Sequence, residues 1–387
     1  MTLRVRPTRL DLTGRDRHPR GERRCRTSPV APDHARSGHG VTLDNLVLPP
    51  SETLGSRREA RVTKMTLDTA KRLLKRSREV DWAFPTSFSN TNLVRSADSA
   101  WLHDLSAERH AVGEAAALLL RNGEEAAALE LAANTWRAWL PVRDLDGGRA
   151  FLASILEAGP GRPYPSRAHA LYGDSVFAIK LGDLDASRAS AQEALTVAAE
   201  VGDAEGRLLG LLGLSRVAFE EGNHERAESL AEEARELARE LKASMSQAPQ
   251  HMLAQSVRAS GDLDRAARLF EENLMLNRQI EDEGMISVEL FNLGHVEARR
   301  GNIDAAEHLF MEAADRIDPS DPYDDAMTRF NRSVIAFGRG DLKRAAELLH
   351  RARSTLREIG ADLPSDDQAE FEWLEGRLAV ALNPPPP

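Results

Sequence analysis

The chain has 387 residues, of which 51 are basic and 61 acidic, and its net charge is −10. It contains no run of about 18 apolar residues that would span a membrane, and no apolar segment of a secretory signal follows its N-terminus. The single cysteine, Cys25, excludes disulfides within the chain and thiolate metal sites. These features predict a cytoplasmic protein that does not contact a membrane.

Residues 1–64 differ in composition from the rest of the chain. They carry 14 basic and seven acidic side chains, which leaves a net charge of −17 on residues 65–387. Scattered Pro, Gly and Ser without any sustained apolar period predict a disordered basic segment. Three interpretations stay open: a solvated tail, an over-extended gene start with the true initiator at Met65, or an arm that binds nucleic acid. Nucleic-acid binding is not favoured anywhere else in the chain.

The remaining chain divides into four segments. Residues 65–97 are predicted to form a short basic helix and a linker rich in Ser and Asn. Residues 98–165 show the apolar spacing of helices and form a lead-in that the Gly- and Pro-rich run 159–163 ends. Five repeats are predicted within 166–363, and residues 364–387 are predicted to form a capping helix and a Pro tail.

The repeats are marked by a Gly that is followed by Asp or Asn every 39 or 40 residues. The five pairs are Gly182-Asp183, Gly222-Asn223, Gly261-Asp262, Gly301-Asn302 and Gly340-Asp341. A fixed period of this length is typical of a repeat array. In each unit the Gly is predicted to end the first helix in a left-handed conformation, and the Asp or Asn to cap the second helix.

Small side chains occupy three further columns of the repeat. Seven residues before the Gly stand Ser175, Ser215, Ala254, Gly294 and Ser333; five residues after it stand Ser187, Ala227, Ala266, Ala306 and Ala345; twelve after it stand Ala194, Ala234, Asn273, Ala313 and Ala352. Small residues at these points let the two helices of a unit approach closely. The pattern predicts an all-α solenoid of tetratricopeptide-like hairpins, about five or six residues longer than the usual unit of 34.

The lead-in and the repeats together resemble a known family. The residues that carry the resemblance are Trp101-Leu102, Gly123, Trp136, Trp139 and Gly148-Arg149, followed by the repeats. In this order they resemble the C-terminal repeat region of bacterial STAND-type predicted ATPases, which include LuxR-type regulators. The resemblance implies a regulatory setting. It does not carry over the ATPase or the DNA-binding domain, because the chain has no Gly-Lys dipeptide for a phosphate-binding loop and no helix-turn-helix pattern.

No catalytic or metal-binding pattern stands out in the sequence. The motif His-Glu-x-x-His is absent, and the eleven His are scattered. Asp318, Asp321, Asp324 and Asp325 crowd one turn, but they lack the spacing of an EF-hand. A turn that caps the following helix is the favoured interpretation of these four residues. We therefore expect a protein without enzymatic activity and without a cofactor.

The concave face of the array is the candidate binding site. The positions of exposed side chains on the first helix of each hairpin can be counted back in residues from the turn Gly. These positions predict a cationic and aromatic groove. The candidate groove residues are Tyr172, Arg216, His251, Gln255, Arg258, Phe291, His295, Arg299 and Phe330. In a body of net charge −17, a cationic groove favours an acidic or C-terminal peptide segment as ligand. If the register shifts by one or two residues, these side chains are ordinary surface charge and inter-repeat packing.

The sequence thus predicts a non-enzymatic, regulatory scaffold of a bacterial cytoplasm that binds a protein or peptide through its groove. The alternative is the detached sensor half of a STAND-type transcriptional regulator, acting with a separate ATPase or DNA-binding partner. An enzyme on a helical scaffold is disfavoured, because the sequence offers no polar pocket with clustered acids.

Overall fold

A computed structural model describes most of the chain after residue 64. The described residues are 65–78, 98–159, 163–241, 246–361 and 363–382, and the side chains of 98–104 are not described. These residues form fifteen α-helices and one 3-10 turn, and no strand occurs among them. The all-α prediction is therefore confirmed. The predictions for the basic segment 1–64, the linker and the Pro tail lie outside the described residues.

The described helices divide into a lead-in, five hairpins and a last helix. The lead-in comprises α1 (Leu67–Arg78), α2 (Asp98–Arg121), α3 (Glu125–Thr135), the 3-10 turn Trp136–Trp139 and α4 (Leu145–Ala158). The five hairpins are α5 (Pro165–Lys180) with α6 (Leu184–Val201), α7 (Ala204–Glu220) with α8 (His224–Glu240), α9 (Gln247–Ala259) with α10 (Leu263–Gln279), α11 (Glu283–Arg299) with α12 (Ile303–Ala314), and α13 (Pro322–Gly338) with α14 (Leu342–Glu358). The last helix is α15 (Ser365–Leu382).

Each hairpin turn adopts the backbone that its Gly permits. The φ angles of the five turn glycines lie between +74° and +91°, a region in which a residue with a Cβ is strained. The side chain after the Gly then accepts a hydrogen bond from the N–H three residues on, as in Asp183 to Ala186 at 3.0 Å. Asn302 is an exception, because its amide donates to Glu297 instead. The turns therefore end one helix and cap the next.

The small residues lie where the two helices of a hairpin touch. The Ser215 hydroxyl donates to the Ala227 carbonyl at 2.8 Å, and Ser333 donates to Ala345 at 2.7 Å in the fifth hairpin. In the fourth hairpin a Cβ on Gly294 would lie only 2.5 Å from the Phe310 ring. Close helix contacts of this kind leave no room for a larger side chain.

The lead-in belongs to the same hydrophobic core as the first hairpins. The Trp136 ring meets the edges of Tyr172 and Phe177, with centroids 6.0 Å and 5.7 Å apart. A Cβ on Gly173 would lie 2.8 Å from this indole ring, so the glycine makes room for it. The aromatic residues of the lead-in thus pack on the first helix of the array.

Helix α15 covers the last hairpin and also reaches back along the array. At the middle of α15, Trp373 packs edge-on against Phe337 with centroids 6.1 Å apart. At its N-terminus the Ser365 hydroxyl donates to Glu220 of α7 at 2.9 Å. The predicted capping helix therefore contacts the first helices of the second to fifth hairpins, and it lies on the face where the candidate groove residues stand.

Candidate functional site

The structure separates the nine candidate groove residues into two groups. Tyr172 and Arg216 lie together near the lead-in. The second group contains His251, Gln255, Arg258, His295, Arg299 and Phe330. Four of these contact α15, namely Gln255, Arg258, Arg299 and Phe330, whereas the His251 ring lies 2.7 Å from Glu289 of α11. Phe291 belongs to neither group and packs against Phe310, with ring centroids 6.5 Å apart.

None of the nine side chains is exposed, although the sequence analysis expected an open groove. Tyr172, Arg216, Gln255, Arg258, His295 and Phe330 are buried, and the other three are half-buried. Trp136 of the lead-in packs on Tyr172, and α15 contacts Gln255, Arg258, Arg299 and Phe330. Helix α15 occupies the groove along the second to fifth hairpins in this structure.

Two neighbouring first helices, α9 and α11, supply cations that meet α15. Gln255 and Arg258 share one face of α9 because they are three residues apart, and Arg299 lies in the last turn of α11. We call Gln255, Arg258 and Arg299 the cationic stripe. It faces Asp366, Asp367 and Glu370 on α15, which we call the acidic face.

The acidic face supplies a carboxylate to each member of the cationic stripe. The Gln255 amide donates to Asp366 at 2.6 Å, and an Arg258 nitrogen lies 3.5 Å from the same carboxylate. Glu370 lies 3.6 Å from Arg258 and 3.3 Å from Arg299. The guanidinium groups of Arg258 and Arg299 therefore share the buried Glu370 carboxylate, which gives that charge two cationic partners.

Arg258 lies at the centre of this network. Its side chain is only 5% exposed, and its guanidinium donates to Asn292 at 2.9 Å and to Gln255 at 2.5 Å. A buried cation is costly unless it is paired and hydrogen-bonded. Within the described residues, both carboxylates near Arg258 belong to α15, so α15 supplies its counter-charge.

An aromatic contact anchors α15 beside the charged network. Phe371 stacks on Phe330 with ring centroids 3.7 Å apart, and the Arg353 guanidinium lies 4.4 Å from the Phe371 centroid. On the other side, the His295 ring lies 5.3 Å from Phe330. Burial lowers the pKa of His295 to about 4, so this ring is neutral at pH 7 and serves as an apolar contact.

The acidic face has three carboxyl groups, whereas the cationic stripe has two guanidinium groups. Burial, together with the charge of Asp366, raises the pKa of Asp367 to about 8, while Arg258 opposes the rise. The Tyr323 hydroxyl lies 3.5 Å from the Asp367 carboxylate and donates to it. Asp367 therefore takes up a proton more readily than an ordinary carboxyl group.

Tyr172 and Arg216 form the other group of candidate residues; we call them, with the neighbouring Arg137 and Lys180, the Tyr172 group. Arg216 donates to the Tyr172 hydroxyl and lies over the Tyr172 ring, 5.6 Å from its centroid. Arg137 of the 3-10 turn lies 4.3 Å from the Trp136 centroid. Burial lowers the pKa of Arg137 to about 10 and that of Lys180 to about 8. The group is therefore a buried cluster of cations and aromatic rings.

Several residues of the site were not among the candidate groove residues. They are Arg137, Asn292, Asp366, Glu370 and Phe371. For α15 a signal was present, because its first two turns are acidic and thus opposite in charge to the predicted groove. For Arg137 no signal was present, since nothing in the local pattern indicates that the 3-10 turn meets the first repeats.

The described residues offer no metal site. No group of three or more His, Cys, Asp or Glu among them is placed to hold a metal ion. In the acidic turn before α13, Asp321 accepts from the N–H of Tyr323 at 2.8 Å, and Asp324 accepts from the N–H of Asp318 at 3.0 Å. Two of these carboxylates thus bind backbone groups, as expected for a capping turn.

None of the described helices is both long enough and apolar enough to cross a membrane.

The fold and the packed hairpins define this molecule as an α-solenoid of tetratricopeptide repeats (TPRs). Residues 150–381 match the family described as the MalT-like TPR region. The match covers more than half of the chain, and the chain therefore belongs to this family. The resemblance to a C-terminal repeat region of this kind, inferred from the sequence, is confirmed.

Several solved structures share this fold. The Cut9–Hcn1 hetero-tetramer of the APC/C has a TM-score of 0.51 at 16% identity, over 81% of this chain and 52% of that one. Apo RapI has a TM-score of 0.50 at 16% identity, over 80% of this chain and 82% of that one. A Rap protein complexed with Competence and Sporulation Factor has a TM-score of 0.50 at 14% identity, over 81% of this chain and 98% of that one. At these identities the similarity concerns the fold alone. No curated protein sequence matches the chain significantly.

Proposed function

We propose that this protein is a non-enzymatic, regulatory binding module whose concave face binds an acidic segment of a protein partner. Helical repeat arrays present extended concave surfaces for binding. Here that surface carries the cationic stripe, in a chain of net charge −10. A Rap protein of the same fold is solved in complex with Competence and Sporulation Factor, which illustrates that such an array can take a ligand.

The main support for the proposal is the position of α15. An acidic helix, α15, already lies on the cationic stripe, and its Asp366 and Glu370 carboxylates lie 2.6–3.6 Å from the amide and guanidinium groups. The stripe therefore has the geometry and the charge to hold a helical acidic segment. A segment of a partner with the same chemistry would make the same contacts.

The membership in the MalT-like family supports a second candidate for the biological setting. In it the chain is the sensor half of a STAND-type regulator, and its partner is a separate ATPase or DNA-binding protein. Both candidates use the same surface, so one experiment addresses them, and the identity of the captured partner separates them.

The test is affinity capture from the native cytosol with the full chain, followed by titration of the partner's acidic segment as a synthetic peptide. We expect the double variant Arg258→Gln/Arg299→Gln to lose the partner and to bind the peptide at least about tenfold more weakly, a loss of about 1.4 kcal/mol. The matched control is Arg268→Gln/Arg332→Gln, which makes the same change at two exposed residues. Equal binding by both double variants would place the partner elsewhere.

A further inference from the structure

The array and the cationic stripe differ in how their charges are paired. Along the second helices, basic residues pair with acidic residues of the neighbouring repeat, as Arg278 of α10 does with Glu312 of α12 at 2.7 Å. Arg265 of α10 likewise pairs with Glu228 of α8. Both residues of each of these pairs lie in the repeats. The buried Arg258, in contrast, takes its carboxylates from α15, which is not part of a repeat.

Helix α15 binds the array in the manner of a ligand. One of its faces is buried and contains Glu370, Phe371, Leu374 and Leu378, at 3%, 0%, 0% and 4% exposure. The opposite face is open to solvent, and Val380 near its end is 64% exposed. An amphipathic helix that lays one face into a groove is a recurring mode of peptide recognition.

The connection to α14 tethers this helix without making it part of the last hairpin. Residues 359–364 join the end of α14 to the start of α15. Gly360 ends α14 in the left-handed conformation, with φ at +61°, and Pro364 precedes α15. A short tether of this kind holds a bound segment at a high effective concentration.

The contact at the start of α15 also contains like charges. Asp367 lies next to Asp366, and Glu370 is one turn further on. On the array, Arg258 is the cation that acts on Asp367, and Tyr323 is its hydrogen-bond donor. Carboxylates that share a site oppose each other's ionisation. A helix with the two contacting carboxylates but without the third would avoid this repulsion.

We infer that α15 is an internal ligand of the cationic stripe, and that a partner helix of the same chemistry replaces it. The partner is an acidic amphipathic helix with two carboxylates one turn apart, in the places of Asp366 and Glu370, and a phenylalanine directly after the second. This inference rests on the proposed function and adds to it the class of partner and the segment that the partner must displace.

The test uses the full chain and a labelled peptide of residues 365–382. Three chains are compared by fluorescence anisotropy: the native chain, Asp366→Lys/Glu370→Lys, and the control Glu372→Lys on the exposed face of α15. We expect the peptide to bind the double variant at least about tenfold more tightly than the native chain, because the tethered native helix competes at an effective concentration of roughly millimolar. The control should behave like the native chain. A peptide with both carboxylates changed to Lys should bind none of the three.

Three results would overturn the inference. The first is no binding to the double variant although hydrogen exchange shows that its own α15 has lost protection. The second is equal binding to the native chain and the double variant. The third is a native dimer, seen by light scattering, in which two copies exchange α15, because the occupant would then be a second copy.

Two further measurements keep the test decisive. If circular dichroism shows that the double variant does not fold, Asp366→Asn/Glu370→Gln takes its place. Partner capture by the full chain is independent of the peptide assay. Capture without peptide binding would contradict only the internal-ligand inference, whereas peptide binding without capture would contradict the proposed function and leave α15 as an intramolecular contact.

Discussion

The two ends of the concave face have the same hairpin geometry and different partners for their cations. At the Tyr172 end, Arg216 and Arg137 lie over aromatic rings, 5.6 Å and 4.3 Å from the Tyr172 and Trp136 centroids. At the cationic stripe, Arg258 and Arg299 lie 3.3–3.6 Å from the Glu370 carboxylate. An aromatic face attracts a cation while leaving its charge in place, whereas a carboxylate neutralises it.

This difference shows which part of the chain determines what each end can bind. Arg216, Arg258 and Arg299 all lie on first helices of the hairpins, six, three and two residues before their turn glycines. Arg216 meets Tyr172 of the first hairpin, on which Trp136 of the lead-in packs, whereas Arg258 and Arg299 meet α15, which lies outside the repeats. Changes in α15 should therefore alter the cationic stripe and leave the Tyr172 end unaffected.

The largest effect that separates the two ends is expected from Arg258→Ala. The substitution leaves Asp366 and Glu370 partly buried without their central counter-charge, and removal of one partner of a buried pair costs about 3–5 kcal/mol. Arg299 still contacts Glu370, so we expect the lower part of this range. Hydrogen exchange should show a loss of protection in 365–382 and unchanged protection in α5 and α7.

The control for this prediction is Arg268→Ala, which removes an exposed guanidinium from α10. It should leave protection unchanged in all three helices. Equal loss of protection in α7 and α15 after Arg258→Ala would show that the two ends unfold together. The two ends of the concave face would then not be independent.

A smaller and more local effect is expected from Phe371→Leu. The change keeps apolar volume but loses the stack on Phe330, worth about 0.5–1.5 kcal/mol, and the cation–π contact with Arg353, worth about 0.5–1 kcal/mol. The peptide of residues 365–382 with this change should therefore bind the Asp366→Lys/Glu370→Lys chain about 5- to 60-fold more weakly than the native peptide.

The matched variant at the other end is Phe177→Leu in the full chain. Phe177 is fully buried and packs edge-on against Trp136, so its loss should lower the protection of the first hairpin and of α3. Binding of the native peptide to the double variant should be unchanged by it. A change in peptide binding would mean that the lead-in and the stripe are coupled.

Most of the fold could be predicted from local sequence. The turn glycines, the capping Asp and Asn, and the small residues such as Ser215 and Gly294 each impose a local backbone or a close contact, and these constraints recur every 39 or 40 residues. A repeated local constraint determines a solenoid because each hairpin packs mainly against its neighbours.

The site was less predictable, because its contacts are not local. Gln255 and Asp366 are 111 residues apart in sequence, and Ser365 and Glu220 are 145 apart. Periodicity places a side chain on a face of its own helix but does not indicate which distant segment covers that face. The groove residues were therefore placed on the right helices, while their burial under α15 was not foreseen.

A third prediction concerns a feature that both ends share. Ser215 in the second hairpin and Ser333 in the fifth donate to a helix carbonyl at 2.8 Å and 2.7 Å. Replacement of either by Ala should lower the free energy of unfolding by about 0.5–1.5 kcal/mol, the usual contribution of a hydrogen bond. Urea denaturation should give similar losses for the two variants. A clear inequality would show that the hairpins at the two ends are not equivalent in packing.

The smallest effect is expected at Asp367, and it concerns pH. The pKa of Asp367 is raised by burial and by Asp366 from its ordinary value of 3.8 to about 8, so ionisation of this carboxyl opposes the bound position of α15. The stabilising contribution of the protonated form is complete below about pH 4, decreases as the pH rises, and is lost above about pH 8. Because Asp367 keeps part of its surface in water, solvent screening reduces the effect of its ionisation on stability.

Asp367→Asn tests this assignment, because the amide stays neutral at every pH. Protection factors of residues 365–382, corrected for intrinsic exchange, should fall between pH 5 and pH 8 in the native chain and fall less in the variant. Near pH 8 the variant should therefore hold α15 more tightly than the native chain does. Asp304→Asn, at a fully exposed side chain, should keep the native dependence on pH. If Asp367→Asn instead weakens the contact at pH 8, the ionised carboxylate stabilises α15, and the whole acidic face, rather than Asp366 and Glu370 alone, is the element that a partner must reproduce.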